Sequence, residues 1–232
     1  MLSAWDTAIE KTGQLITAKE RYYTHELSRL ISQGHHPRGH VGNFAHEVSE
    51  RNRGGNDERV LSVTNSRGFV LPEDQFERRV ASADLSNYKV VRRGQYAYNP
   101  SRINVGSIAR LDGWDDGVLS PMYVVFGLDT SKVDSDYFLH WLDSHEAQER
   151  IKKSTQGSVR ETVSFTEFAA IAFPFPNLDR QAAIVRYLNV LRGEISILGV
   201  HVEKLKEQKR GLMQKLLTGK WRVRMDIDEV TA

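Results

Sequence analysis

The sequence predicts an α+β protein. One globular domain with a largely antiparallel sheet is flanked by two long helices that pack together as an antiparallel coiled coil. Three observations lead there. Apolar residues recur every seven positions near the C-terminus, and a weaker version of the same repeat runs through the N-terminus. Between them, residues 37–176 alternate turn signals with short Val- and Tyr-rich runs.

The C-terminal repeat is the most regular feature. Ile184, Leu191, Leu198, Leu205 and Leu212 form one seven-residue line. Leu188, Ile195, Val202, Lys209 and Leu216 form a second, interrupted only by Lys209. Offset by four, the two lines give the 4-3 spacing of a coiled-coil seam. Pro174 and Pro176 forbid an earlier start, Asn177 or Asp179 can cap the helix, and Gly219 can stop it. A helix from 179 to 218 would be roughly 60 Å long at ~1.5 Å per residue, and it cannot bury its seam against itself. Leu188, Ile195, Leu198, Val202, Leu205, Leu212 and Leu216 are therefore expected to face a partner.

The N-terminus offers that partner. Leu2, Ile9, Ile16, Tyr23 and Leu30 also fall every seven residues, although Thr12, Lys19 and Glu26 occupy the second line. A shift of 186 positions lays Leu2, Ile9 and Ile16 on Leu188, Ile195 and Val202, which suggests two related helices. The expected divisions are a helix over 1–34, a domain over 37–176, a helix over 177–220 and a tail over 221–232. "HHPRGH" (35–40) reads as a polar break. Within the domain, "RVLSVT", "YKVVRR", "QYAYN" and "MYVVFGL" read as strands, "DSDYFLHWLDSHEAQERIKK" as helical with Asp134 or Ser135 as cap, and "FTEFAAIAF" as helix or strand.

Composition narrows function by exclusion. The absence of cysteine removes disulfide scaffolds, thiolate zinc sites and Cys nucleophiles. No run reaches the ~18 apolar residues of a membrane span, and no signal pattern opens the chain, so the expectation is a cytoplasmic protein. The formal net charge is +2, but its distribution is uneven. From Arg78 to Arg110 seven basic groups face Asp84 alone, and from Asp112 to Glu149 nine acids face Lys132 alone. If these blocks mapped to different faces, the domain would have a basic and an acidic side.

No catalytic apparatus is evident. His35, His36 and His40 lack a carboxylate at ligand spacing and read better as a hinge than as a metal site. "DGWDDG" (112–117) fails the calcium-loop pattern at Trp114 and Tyr123 and reads as an acidic turn. "YNPS" (98–101) lacks the second Pro and the aromatic of an amino-methyltransferase motif, and "LLTGK" lacks the first glycine of a phosphate loop. Polar loops fit binding better. "TNSRGF", "NPSRINVGS" and "KKSTQGSVRET" combine Arg, Asn, Gln and Ser, the groups that reach phosphates and base edges. The candidate DNA contacts are Arg67, Arg92, Arg93, Arg102, Lys152, Lys153 and Arg160, with Asn65, Asn104, Gln156 and Ser158 as neutral readers. Trp114, Tyr137 and Trp141 read as core or interface.

"LSPMYVVFGLD" (119–129), "QGSVRETVSFTEFAAIAFPFPNLDRQAAIVRYL" (156–188) and "KRGLMQKLLTGKWRV" (209–223) resemble the specificity subunit of type I restriction–modification systems. "LSAWDTAIEKTGQLITAKE" (2–20) resembles that family's spacer helix. The resemblance implies a non-catalytic subunit whose target recognition domain binds double-stranded DNA and whose helices dock methyltransferase (modification) subunits. A motor–nuclease (restriction) subunit joins the complex, and S-adenosylmethionine, ATP and Mg belong to those partners, with no cofactor in this chain. The usual subunit has two recognition domains; one is present here, so a half-length form pairing as a homodimer on a bipartite site is expected. The rival expectations are a coiled-coil assembly remnant without DNA binding and an orphan DNA-binding repressor.

Overall fold

Helices form where the heptads run, and the intervening segment folds around its aromatic residues. The computed structural model describes residues 2–53, 59–72, 84–156 and 162–221. The chain divides into two compact units: Met1–Glu26 with Tyr187–Ala232, and Leu27–Arg186.

In the first unit, helix α1 (Leu2–Leu27) runs beside α5 (Leu178–Leu217). Asp6 pairs with Lys209, Lys19 with Glu194 at 2.7 Å, and the Tyr22 and Tyr187 hydroxyls meet at 2.8 Å, so the helices are antiparallel. That last bond pushes the Tyr187 phenol up to about 12. The Arg192 guanidinium lies 5.4 Å over the Tyr23 ring and donates to its hydroxyl at 2.7 Å.

Shielding along both helices follows the 4-3 spacing. On α5, Leu188 and Val202 are buried, and Leu191, Ile195, Leu198, Leu205, Lys209, Leu212 and Leu216 are half-buried. On α1, Trp5, Ile9, Thr12, Ile16, Lys19 and Tyr23 are half-buried and Glu26 is buried. The polar interruptions are accommodated: the Thr12 hydroxyl donates to Ala8 O at 2.7 Å, while Lys19 and Lys209 find acids on the opposite helix. Asn177 caps α5, its Oδ1 accepting from Arg180 N at 2.9 Å. At the other end Gly219 adopts φ +70°, the left-handed turn that ends a helix.

The second unit is built on antiparallel pairs. Strands β2 (Ala45–Val48), β9 (Val124–Leu128), β6 (Tyr96–Tyr98) and β7 (Ile108–Arg110) form one sheet in that order. Strands β3 (Ser62–Thr64) and β4 (Gly68–Val70) form one ladder, and β5 (Lys89–Arg92) and β8 (Asp116–Leu119) another. Period-two alternation gives the main sheet two unlike faces. Tyr96, Tyr98 and Phe126 join Phe138 and Phe168 in an aromatic cluster on one side. On the other, Ala97 and Val125 pack with Leu61, Val63, Val91 and Leu119. The buried phenols each find a carbonyl: Tyr96 donates to Ser135 O at 2.9 Å and Tyr98 to Val163 O at 3.1 Å. Burial pushes both above the usual tyrosine range.

Asp134 caps α2 (Ser135–Leu142), accepting from Asp136 N and Tyr137 N at 2.8 and 3.1 Å. The predicted single helix breaks at Ser144, whose Oγ accepts from Ala147 N at 3.2 Å and opens α3 (His145–Gln156). "FTEFAAIAF" supplies both alternatives. Ser164 and Glu167 make a capping box for α4 (Phe165–Ala169), and strand β10 (Ala172–Pro174) follows. "HHPRGH" is more than a polar break, because Arg38–His40 forms β1, antiparallel to β10 with Gly39 opposite the buried Phe173. That pairing joins segments distant in sequence, so no local pattern announces it. His36 bonds Leu30 O at 2.7 Å, and the described residues contain no metal-holding group of three His, Asp or Glu side chains.

Gln181 is fully buried in the first turns of α5. Its Oε1 accepts from Asp134 N at 2.8 Å, and its Nε2 donates to Pro176 O at 2.8 Å and Lys132 O at 3.2 Å. One side chain thus ties the cap of α2 to the start of α5. We predict that Gln181→Leu destabilises this unit by about 3 kcal/mol, because buried carbonyls and an amide lose their partner; chemical denaturation followed by tyrosine and tryptophan fluorescence measures it. In the helical unit, Val202→Asp should cost about 3 kcal/mol by burying a charge in the seam, whereas Val200→Asp at an exposed position stays within about 0.5 kcal/mol. Thermal unfolding monitored by circular dichroism separates the two.

Candidate nucleic-acid interface

Two tight turns and two helices enclose a cleft of about 380 Å³ in the second unit. One wall is Asn65, from the β3–β4 turn, with Ile103–Gly106; the other comes from α2 and α3, through Leu142, Asp143, Gln148 and Ile151. The floor is apolar, since Ile103, Leu142 and Ile151 are buried, while Asn65, Asn104, Val105, Asp143 and Gln148 are exposed at the rim.

The first wall is held by its own hydrogen bonds. In the β3–β4 turn, the Thr64 hydroxyl accepts from Arg67 N at 3.0 Å and donates to Gly68 O at 3.1 Å. Gly68 closes the turn at φ +64°. In the second turn, Asn99 N donates to Ser107 O and Ser107 N to Arg102 O, both at 3.1 Å. Gly106 supplies the left-handed φ of +90° that ends the Ile103–Val105 helical turn. The two turns are joined: the buried Ser107 Oγ donates to Val63 O at 2.8 Å, and a Cβ on Gly106 would lie 3.6 Å from that of Asn65.

The predicted contacts fall into separate groups. Asn65 and Asn104 line the cleft together. Arg67 and Arg102 belong to the same two turns, and Lys152 and Lys153 are exposed on α3, the helix that supplies Gln148 and Ile151. Arg92 and Arg93 lie instead at the end of β5 and are already engaged. Arg92 Nη2 meets Glu50 at 2.6 Å, and Arg93 meets Asp115 at 2.8 Å. The Gln156 side chain, Ser158 and Arg160 lie outside the described residues.

Among the described residues, folding brings the two charge blocks into contact instead of keeping them on separate faces. The basic block 78–110 and the acidic block 112–149 meet directly: Arg93 pairs with Asp115, and Arg110 with Asp112 and Asp136, each at 2.7 Å for Arg110. Burial works against the Arg110 charge, yet its two carboxylate partners hold the guanidinium more firmly protonated than usual. Those cations are neutralised locally. Arg102 and Lys153, by contrast, have no ion pair among the described residues. Val105, Asp143 and Gln148 were not among the expected site residues, because the cleft is assembled from segments about 40 to 80 positions apart and no local motif marks it.

No protein-family model matches the chain, and no curated protein matches it. Solved structures do. The HsdS subunit from Thermoanaerobacter tengcongensis superposes with a TM-score of 0.59 at 13% identity, over 92% of this chain and 54% of that one. The S subunit of a type I restriction–modification system from M. genitalium gives 0.57 at 14% identity, over 97% and 59%. A structure describing complex assembly and conformational transition of the type I R-M system gives 0.58 at 13%, over 92% and 56%. This chain has the fold of the type I restriction–modification S subunits. It spans between one half and three fifths of the length of the S-subunit structures it matches. In the segment "PFPNLDRQ" (174–181) that leads into α5, the glutamine is Gln181, and its three bonds give a structural reason for a glutamine there.

Proposed function

We propose that this chain is a non-catalytic DNA-specificity subunit that directs an adenine methyltransferase and restriction complex to a bipartite site. The observation that carries the reading is the S-subunit fold, matched over at least 92% of the chain. Unit Leu27–Arg186 would be the recognition domain, with Arg67, Arg102, Lys152 and Lys153 on phosphates and the rim of the cleft toward the bases. The α1–α5 pair would be the spacer and the docking surface for modification subunits, and a restriction subunit would join the assembled complex. Two copies would pair through their helices to present two recognition domains to one duplex. Exposed apolar side chains support that pairing: Leu15 and Tyr22 on α1, and Val190 and Ile197 on α5, lie uncovered in the single chain. The setting would be the cytoplasm; no helix among the described residues is long and apolar enough to cross a membrane.

The neutralisation of Arg92, Arg93 and Arg110 by acids favours a second reading, an assembly protein that no longer binds DNA. Salt dependence separates the two. If about four phosphates are contacted, affinity for duplex DNA should fall about 150-fold between ~50 and ~200 mM salt, following counterion release. In fluorescence anisotropy titrations, Arg102→Ala with Lys153→Ala should lower the slope of log affinity against log salt by about 2. An unchanged slope removes these two residues from the contact set, and absence of binding at low salt supports the assembly reading.

A further inference from the structure

We propose that the lip of the cleft, Asn65, Asn104 and Val105, reads one A·T base pair; this deepens the DNA-specificity reading and rests on it. The chemistry of an A·T pair in the major groove is specific. Adenine offers N7 as acceptor and its 6-amino group as donor, which an Asn or Gln amide matches with two bonds, and thymine offers a C5-methyl group to an apolar side chain. The lip presents those complements side by side: two amides and an isopropyl group.

Four features distinguish these groups from ordinary surface residues. First, neither asparagine side chain has a protein partner among the described residues, although both sit in turns saturated with hydrogen bonds. Second, Val105 is 57% exposed on the 3-10 turn whose first residue, Ile103, is 2% exposed, so an apolar group is held outward from a rigid base. Third, the two turns are fixed to each other through Ser107 and the close approach of Gly106 to Asn65, so little ordering is left for binding to impose. Fourth, the cleft behind the lip separates it from Asp143 and Gln148, leaving the lip free on that side to enter a groove.

The apolar floor and the Asp143 carboxylate make the cleft itself a poor seat for a phosphate. Phosphate contact falls instead to the neighbouring cations, with Arg102 directly before the 3-10 turn and Arg67 two residues after Asn65. In each turn an asparagine of the lip thus has a cation two residues away in sequence, as a base reader accompanied by backbone contacts requires.

Selection of duplexes from a randomised library by the full chain tests this. Wild type should enrich a motif with at least one fixed A·T position. The double variant N104A/V105A should lose preference at that position by about tenfold while keeping the remaining positions, which also shows that it folds. Replacing that thymine by uracil, which removes only the methyl group, should weaken wild type and leave V105A unaffected. Enrichment of the same motif by wild type and the double variant overturns the lip assignment and leaves the DNA-specificity reading standing. No enrichment by wild type overturns the specificity reading, and the lip assignment with it.

Discussion

A forty-residue helix whose apolar seam is interrupted only at Lys209 must have that seam covered, and the chain covers it with its own first helix. Because α1 and α5 are antiparallel and meet from Asp6–Lys209 to Tyr22–Tyr187, everything between them is an insertion with both ends fixed. The insertion has its own closure. Its first strand, Arg38–His40, pairs with its last, Ala172–Pro174, and Gln181 fastens the turn leading into α5 to the cap of α2. Closing a long loop costs entropy that grows only slowly with its length, so an insertion of this length between two paired helices is tolerated.

The same economy governs charge. A run of basic residues suggests a nucleic-acid face when read along the sequence, but several of those cations serve the fold. Arg110 sits among Asp112, Asp136 and Ser135, and Arg93 is held by Asp115 and Asp112 O. The exposed Arg93–Asp115 pair contributes little to stability, while Arg110 is largely shielded, and both remove positive potential from the segment that carries them. Among the described residues, Arg102 and Lys153 have no ion pair and sit on or beside elements that line the cleft, so a phosphate-binding role would rest on such cations and not on the net charge of the block.

Periodicity made the helices legible, and the predicted span of 179–218 differs from the observed Leu178–Leu217 by one residue at each end. The four apolar runs of the middle became β3, β5, β6 and β9 because β-branched and aromatic residues fit a half-buried pleat. Strands such as Ala45–Val48 and Arg38–His40 were not legible: their pairing with Val124–Leu128 and Ala172–Pro174 is a long-range event that no window of sequence contains. The candidate site was legible only in part. Asn65 and Asn104 were visible as polar loop residues, but their meeting at one cleft with the exposed Val105, where Gly106 approaches Asn65, arises from two turns folding together.

The role we propose for this chain is to supply DNA specificity to a modification enzyme. The most direct test is genome-wide mapping of adenine methylation after co-expression with a cognate modification subunit, in a host lacking other such enzymes. A single bipartite motif whose two halves are inverted repeats of each other is expected, since two identical recognition domains would read it. A complex that assembles and methylates no motif would exclude that role.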